Sequence, residues 1–245
     1  MKSLLLFDVD GTIAESGCEV DHEIYNLLKK IDTSLYDLGI VGGGVYPKIK
    51  EQIKDISFTY IFSECGSVYH YKDEKKYENS LIHHEIFPYL YLFIKKSFKW
   101  IQKILKEVSG HFIDVRNGLL YISLIGMQAT KSCRESFYQE EKKHHYREKL
   151  LQELKEIAIK EGIQDKITIT LGGSTGIAIY PKEWSKLQVL NVIYKKEYEK
   201  IYYFGDRYEP NGNDYDLIHH PDIIGMKVDS LSDTKKKIEK ILSIK

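Results

Sequence analysis

The stretch Leu4-Leu5-Leu6-Phe7-Asp8-Val9-Asp10-Gly11-Thr12 constrains this chain more than any other. Four consecutive apolar residues predict a strand buried on both faces, of the kind found inside a parallel sheet. The strand runs directly into two carboxylates. Residues two apart along an extended segment project the same way, so Asp8 and Asp10 are expected to lie together with Val9 facing opposite. Gly11 permits a sharp turn. Open α/β sheets bind their ligands beyond the carboxyl ends of their strands, which makes this a chemical position.

The rest of the chain supplies a sheet for that strand. Asp21 is a plausible N-cap to a helix with Ile24, Leu27, Leu28 and Ile31 on one stripe. Leu38 to Val41 predicts a short strand running into Gly42-Gly43-Gly44, Lys48 to Ile56 a second helix, and Phe58 to Phe62 a third strand. This alternation predicts a parallel sheet. Near residue 80 the pattern changes. Residues 86 to 106 are rich in apolar and aromatic side chains but broken by Lys95, Lys96 and Lys99, which suits amphipathic helix and not a membrane span. Phe112 to Arg116 and Leu119 to Ile125 flank Asn117-Gly118, the strongest short signal for a two-residue hairpin turn. A helix carrying Leu150, Leu154, Ile157 and Ala158 is placed to end at Gly162, and strands follow at 167–171 and 177–180. The first pattern then resumes with a strand at 201–204, another at 223–228, and a final helix opened by Ser232 or Asp233. The predicted fold class is α/β: a Rossmann-like parallel-sheet core in two parts, 1–80 and 184–245, with an inserted α+β cap at 81–183.

Composition excludes several function classes. Lysine plus arginine equals aspartate plus glutamate at 36 each in 245 residues, so no general field draws the chain to nucleic acid or an anionic membrane. Cys18, Cys65 and Cys133 are scattered and odd in number, against a disulfide framework or zinc site. The apolar run after Met1 stops at Asp8, too short for a secretion signal, and a cytoplasmic protein is expected. The pairs His83-His84, His144-His145 and His219-His220 lack zinc spacing, and the 19 tyrosines fit packing better than base stacking.

A second acidic loop sharpens the chemistry. Phe204-Gly205-Asp206, then Asn211-Gly212-Asn213-Asp214, again places oxygen ligands straight after an apolar strand. Clustered carboxylates and an amide oxygen suit Mg²⁺, which needs only one or two carboxylates beside a substrate phosphate. A solvated acidic turn is the plainer alternative.

Together these motifs resemble the haloacid dehalogenase-like superfamily, and within it the eukaryotic-type phosphomannomutases. The narrower likeness rests on residues 7–12, Arg116-Asn117-Gly118, Ser123-Leu124-Ile125-Gly126, Gly172-Gly173 with Tyr180-Pro181 and Trp184, and the 204–206 and 212–214 segments. The resemblance implies Asp8 as nucleophile and Asp10 as general acid/base, through an aspartyl-phosphate. It implies Mg²⁺ held by Asp8, the Asp10 backbone carbonyl and Asp206, with Asn213 and Asp214 supporting the metal loop. Lys186 would pair with the nucleophile and the phosphate, with a solvated surface charge as its alternative. Arg116 and Arg134 would grip a second phosphate of the phosphosugar; the alternatives are a paired strand residue and an exposed helix charge. The activity implied interconverts mannose 6-phosphate and mannose 1-phosphate, primed by a hexose 1,6-bisphosphate activator, in a homodimer joined through the caps.

The chain departs from that pattern in the sugar clamp. Met127 stands where the family has a third arginine, and Gly176 and Ala178 where it has a serine and an aspartate. Gly44 replaces a hydroxyl residue and Gly17 an arginine. Two rivals therefore stay open: a phosphosugar phosphatase of the same superfamily, and a catalytically idle binding protein.

Overall fold

The computed structural model describes residues 1–194 and 196–243. In chain order, β1 (Ser3–Phe7), α1 (His22–Leu28), β2 (Tyr36–Val41), α2 (Tyr46–Ile53), β3 (Tyr60–Ser63), β4 (Val68–Tyr71) and β5 (Glu74–Glu78) come first. Then follow α3 (Leu90–Ile104), β6 (Ile113–Val115), β7 (Leu120–Ser123), α4 (Lys131–His144), α5 (Tyr146–Lys160), β8 (Ile167–Gly172) and β9 (Gly176–Pro181). The chain closes with α6 (Leu190–Ile193), β10 (Ile201–Gly205), α7 (Tyr215–Ile218), β11 (Ile224–Lys227) and α8 (Leu231–Ser243). Two compact units result: residues 1–79 with the chain from 186 onward, and Ser80–Ser185. The insert thus runs one residue earlier and two later than 81–183. Trp184 belongs to it because its ring packs on the insert's own apolar core and meets His84 edge-on at 5.0 Å.

The first unit is a seven-stranded sheet in the order β11-β10-β1-β2-β3-β4-β5. Strands β11 through β3 are parallel. Every residue of β1 is buried, as its unbroken apolar run requires. Leu5 and Phe7 pack with α1, α2 and α8 on one face, and Leu4 and Leu6 with α6 and α7 on the other. Asp21 caps α1 as expected, its Oδ1 accepting the Glu23 and Ile24 N–H groups at 2.9 and 3.1 Å. The last helix starts at Leu231, and its cap is Ser230 instead of Ser232 or Asp233: Ser230 Oγ accepts the Asp233 N–H.

The hairpin β4–β5 extends this sheet antiparallel and carries no apolar alternation in β5, whose sequence is Glu-Lys-Lys-Tyr-Glu. Charge on an edge strand discourages pairing with another chain, and it also hides the strand from a hydrophobic pattern. Its turn, Lys72-Asp73, has φ of 48° and 66°, the left-handed pair of a type I′ turn.

The second unit is a four-stranded antiparallel sheet in the order β6-β7-β9-β8. Asn117-Gly118 does form the two-residue connection, closed by the Arg116 N–H donating to the Leu119 carbonyl at 2.8 Å, although neither residue has positive φ. Ile122, Ile177 and Ile169 face the core formed with α3 and α5. Helix α4 carries Arg134. It buries only Phe137 and Glu141, so no apolar stripe marks it.

Candidate active site

Strand β1 ends at Phe7, and the Asp8 N–H is still held by the Phe204 carbonyl of β10 at 2.9 Å. The chain then winds around one atom: the Val9 carbonyl accepts the N–H groups of Thr12, Ile13 and Ala14. Strand alternation therefore stops before it can place Asp8 and Asp10 side by side. The two carboxylates instead have different partners. Asp8 Oδ1 accepts from Lys186 Nζ at 2.6 Å, while Asp10 Oδ1 accepts from the Gly17 N–H at 2.9 Å and Gln52 Nε2 at 3.0 Å.

The parallel pairing of β1 with β10 brings the second acidic loop beside the first. The chain leaves β1 toward β2 on one side and returns to β10 on the other, which is the topological switch point where such sheets bind ligands. Gly11 has φ of 88°, and a Cβ there would stand 2.5 Å from Asp206 Oδ2. Only glycine lets the Asp10–Thr12 turn approach that carboxylate.

Lys186 follows the inserted unit directly and is wholly buried. Its Nζ donates to Asp8 Oδ1, to Asp214 Oδ1 at 2.7 Å and to the Tyr203 hydroxyl at 3.3 Å. Tyr203 donates its own proton to Asp214 Oδ1, and the Arg207 N–H reaches Asp214 Oδ2 at 3.0 Å. Burial alone would lower Lys186, but the Asp214 and Asp8 carboxylates hold its ammonium above the ordinary lysine range. Burial pushes Asp8 well above the usual carboxylate range, with Asp214 and Asp206 adding to it and Lys186 opposing. Across that one contact we take the ammonium as fixed, since it serves two carboxylates at once, and Asp8 as the group the crowding unsettles. Burial likewise lifts Asp206 to about 6, with Arg207 opposing.

Carboxylate oxygens of Asp8, Asp206 and Asp214 lie within 4.8 Å of one another. Asp206 Oδ1 and Asn213 Oδ1 are buried without a hydrogen-bond partner. Such orphaned oxygens are costly unless something satisfies them. Three carboxylates against the buried Lys186 ammonium and the Arg207 guanidinium, whose Nε lies 3.4 Å from Asp206 Oδ2, with two unsatisfied oxygens beside them, fit a hard divalent cation. Both Asp214 oxygens already have donors, so its place is behind Lys186 and the loop. The Asp10 carboxylate stands outside the cluster.

In the second unit, Arg116 Nε donates to Asp114 Oδ2 at 2.6 Å and its guanidinium lies 5.0 Å from the centre of the Tyr121 ring. Arg134, on α4, donates from Nε to the Ala129 carbonyl at 3.0 Å and from Nη2 to the Met127 carbonyl at 3.2 Å. A Cβ at 176 would meet the Ile122 carbonyl at 2.4 Å and the Tyr121 ring at 2.6 Å, so glycine there is a steric requirement of this chain. Sequence reasoning missed Gln52, Tyr203 and Tyr121. Only Tyr203 left a signal, a hydroxyl within an otherwise buried strand.

Compared with known proteins, the fold is that of haloacid dehalogenase-like hydrolases. A haloacid dehalogenase-like hydrolase from Bacteroides thetaiotaomicron matches at TM-score 0.57 and 17% identity, covering 98% of this chain and 100% of that one. An IMP-bound, N-terminally truncated IMP-nucleotidase from Plasmodium falciparum matches at 0.63 and 14%, covering 99% and 68%. The chain belongs to the eukaryotic phosphomannomutase family, whose model matches residues 22–244. It is 31% identical to human phosphomannomutase 1 (98% of this chain, 92% of the relative) and 30% identical to the phosphomannomutase of Encephalitozoon cuniculi (98% and 94%).

Proposed function

We propose that the protein is a Mg²⁺-dependent phosphomannomutase that interconverts mannose 6-phosphate and mannose 1-phosphate through a phosphorylated Asp8, after priming by a hexose 1,6-bisphosphate. The observation that carries this reading is the contact between Lys186 and both Asp8 and Asp214, at the switch point where Asp206 joins them. Lys186 fixes the Asp8 carboxylate, one of whose oxygens attacks phosphorus as the ester bond to the sugar oxygen breaks. Asp10 gives its proton to the departing sugar oxygen. It later takes a proton from the acceptor hydroxyl, whose oxygen attacks the aspartyl-phosphate. The Gly17 and Gln52 donors hold Asp10 in place between these two steps.

Asp8, Asp206, Asn213 and the Asp10 backbone carbonyl would hold Mg²⁺, with Asp214 supporting. When bound, the ion supplies neutralising charge between the nucleophile and the phosphate. Arg116 and Arg134 would take the second phosphate, a task suited to guanidinium forks.

The protein would work in the cytoplasm as a homodimer joined through its caps. The three free cysteines support the first point, and exposed Tyr91 and Phe98, seven residues apart on α3, support the second. No helix among the described residues is long and apolar enough to cross a membrane.

The test is to incubate the protein with mannose 1-phosphate, Mg²⁺ and a hexose bisphosphate, following mannose 6-phosphate and free phosphate together. Mannose 6-phosphate in excess over phosphate supports the mutase. Phosphate alone would identify a phosphatase, and neither product an idle binding protein.

A further inference from the structure

The cap sheet has two chemically different faces. Cross-strand partners share a face, so the row Ile113, Ile122, Ile177 and Leu171 lies toward the helices. The row Asp114, Tyr121, Ala178 and Thr170 lies on the other. On that second face Tyr121 does not stand upright. Its ring runs diagonally over β9 to β8, where its hydroxyl donates to the Gly172 carbonyl at 2.9 Å. A Cβ at Gly176 would be 2.6 Å from Tyr121 Cζ, and one at Gly172 would be 2.8 Å from Cε2. The ring therefore rests on bare backbone at both positions. The Arg116 guanidinium stacks against it 5.0 Å from the ring centre, and Asp114 takes Arg116 Nε at its edge.

We infer that Tyr121 is a positioning residue: laid over Gly172 and Gly176, its ring holds the Arg116 guanidinium for the phosphate of a phosphorylated sugar. The ligand part of this inference rests on the proposed phosphosugar activity. A glycine floor, an aromatic ring and a guanidinium form a layered stack, and Asp114 fixes the rotation of its outermost member. Arginine carries five donors in one plane, so fixing that plane fixes where an anion is gripped. A side chain at Gly176 would displace the ring, and it would also meet the Ile122 carbonyl at 2.4 Å.

The test has a kinetic arm and a spectroscopic arm. Replacing the ring in Tyr121→Leu should raise KM for mannose 1-phosphate by roughly tenfold, between the effects of an exposed and a desolvated cation–π contact, with a much smaller change in kcat. Tyr121→Phe keeps the ring and should recover most of that loss. In an Arg116→Ala background, Tyr121→Leu should add no further change, because its effect passes through the guanidinium. In nitrogen-correlated NMR spectra, the Arg116 Nε–H resonance should carry a ring-current shift that Tyr121→Phe preserves and Tyr121→Leu removes. Thermal melts of each variant separate this loss from unfolding. An Arg116 resonance that does not respond to Tyr121→Leu, or equal KM effects with and without Arg116, would overturn the inference. Wild-type protein that converts no mannose phosphate would instead overturn the proposed activity, and the NMR arm would still decide whether Tyr121 holds Arg116.

Discussion

The acidic site of the core and the two arginines of the cap are held in different ways. In the core, charged groups meet across long stretches of sequence: Lys186 and Asp8 are 178 residues apart, Gln52 and Asp10 are 42 apart. In the cap, Arg116 binds an aspartate two residues away and Arg134 a carbonyl five residues away. A site built from distant segments exists only when the whole sheet is assembled, so each member depends on all the others. Side chains anchored by near neighbours can be exchanged with little effect on the fold. On the proposed reading chemistry lies in the core and recognition in the cap; of the departures, Met127, Gly176 and Ala178 fall in the cap, while Gly17 and Gly44 fall in loops of the core.

The largest expected effect breaks the core alone. Asp8→Asn should lower both transfer and hydrolysis by at least about a thousandfold, because an amide cannot form the acyl-phosphate. Asp10→Asn should still form phosphoenzyme from substrates with good leaving groups. Single-turnover assays with both variants separate the two roles. Near-normal turnover by Asp8→Asn would refute the mechanism.

Lys186→Met probes the dependence of fold on site. It leaves Asp8 and Asp214 buried without their cation, and removing one partner of a buried pair typically costs about 3–5 kcal/mol. Chemical denaturation should show a loss of that order, far above the loss from Arg134→Met in the cap.

Smaller effects are expected at the clamp. Gly176→Ser places a Cβ against the Ile122 carbonyl and the Tyr121 ring, an overpacking cost of about 1–3 kcal/mol visible in thermal melts. Met127→Arg with Ala178→Asp should raise the ratio of isomerisation to hydrolysis several-fold, since a hydrogen bond to a charged group contributes about 1.5–3 kcal/mol. Ala178 lies directly across from Tyr121, so a gain smaller than this would show that the ring resists the new carboxylate.

The smallest effect concerns protons and metal. Burial pushes the Asp206 carboxyl up to about 6 from an ordinary 3.8. The folded state then holds a proton that the unfolded chain releases, so this group favours folding below about pH 4 and disfavours it fully above about pH 6. Mg²⁺ should raise the melting temperature more at about pH 7.5 than at about pH 5, where it must displace that proton. Equal shifts at both values would remove Asp206 from the metal site.

Much of the core could be read from the sequence because its signals are local and apolar. The buried run of β1, the Asp21 cap and the turn glycine after Asp10 each follow from a few adjacent residues. Assembly was less legible. Hydrophobic pattern cannot report β5, whose side chains are charged, or α4, which buries two residues. Gln52 and Tyr203 act through contacts that only the finished sheet creates. Tyr121 was hidden for a different reason: its partners are glycines, and Gly176 read as a lost serine, and Gly172 as part of a Gly-Gly motif, instead of as space for a ring.

The central claim is that the core site transfers phosphate through Asp8. The direct measurement is mass spectrometry of the protein quenched in acid after brief exposure to a hexose bisphosphate with Mg²⁺, with peptide mapping of the phosphoryl group. One phosphoryl group is expected on the peptide carrying Asp8, absent without Mg²⁺ and absent in Asp8→Asn. Mannose 6-phosphate formed with no phosphoryl group on that peptide, or with the group on another residue, would contradict it.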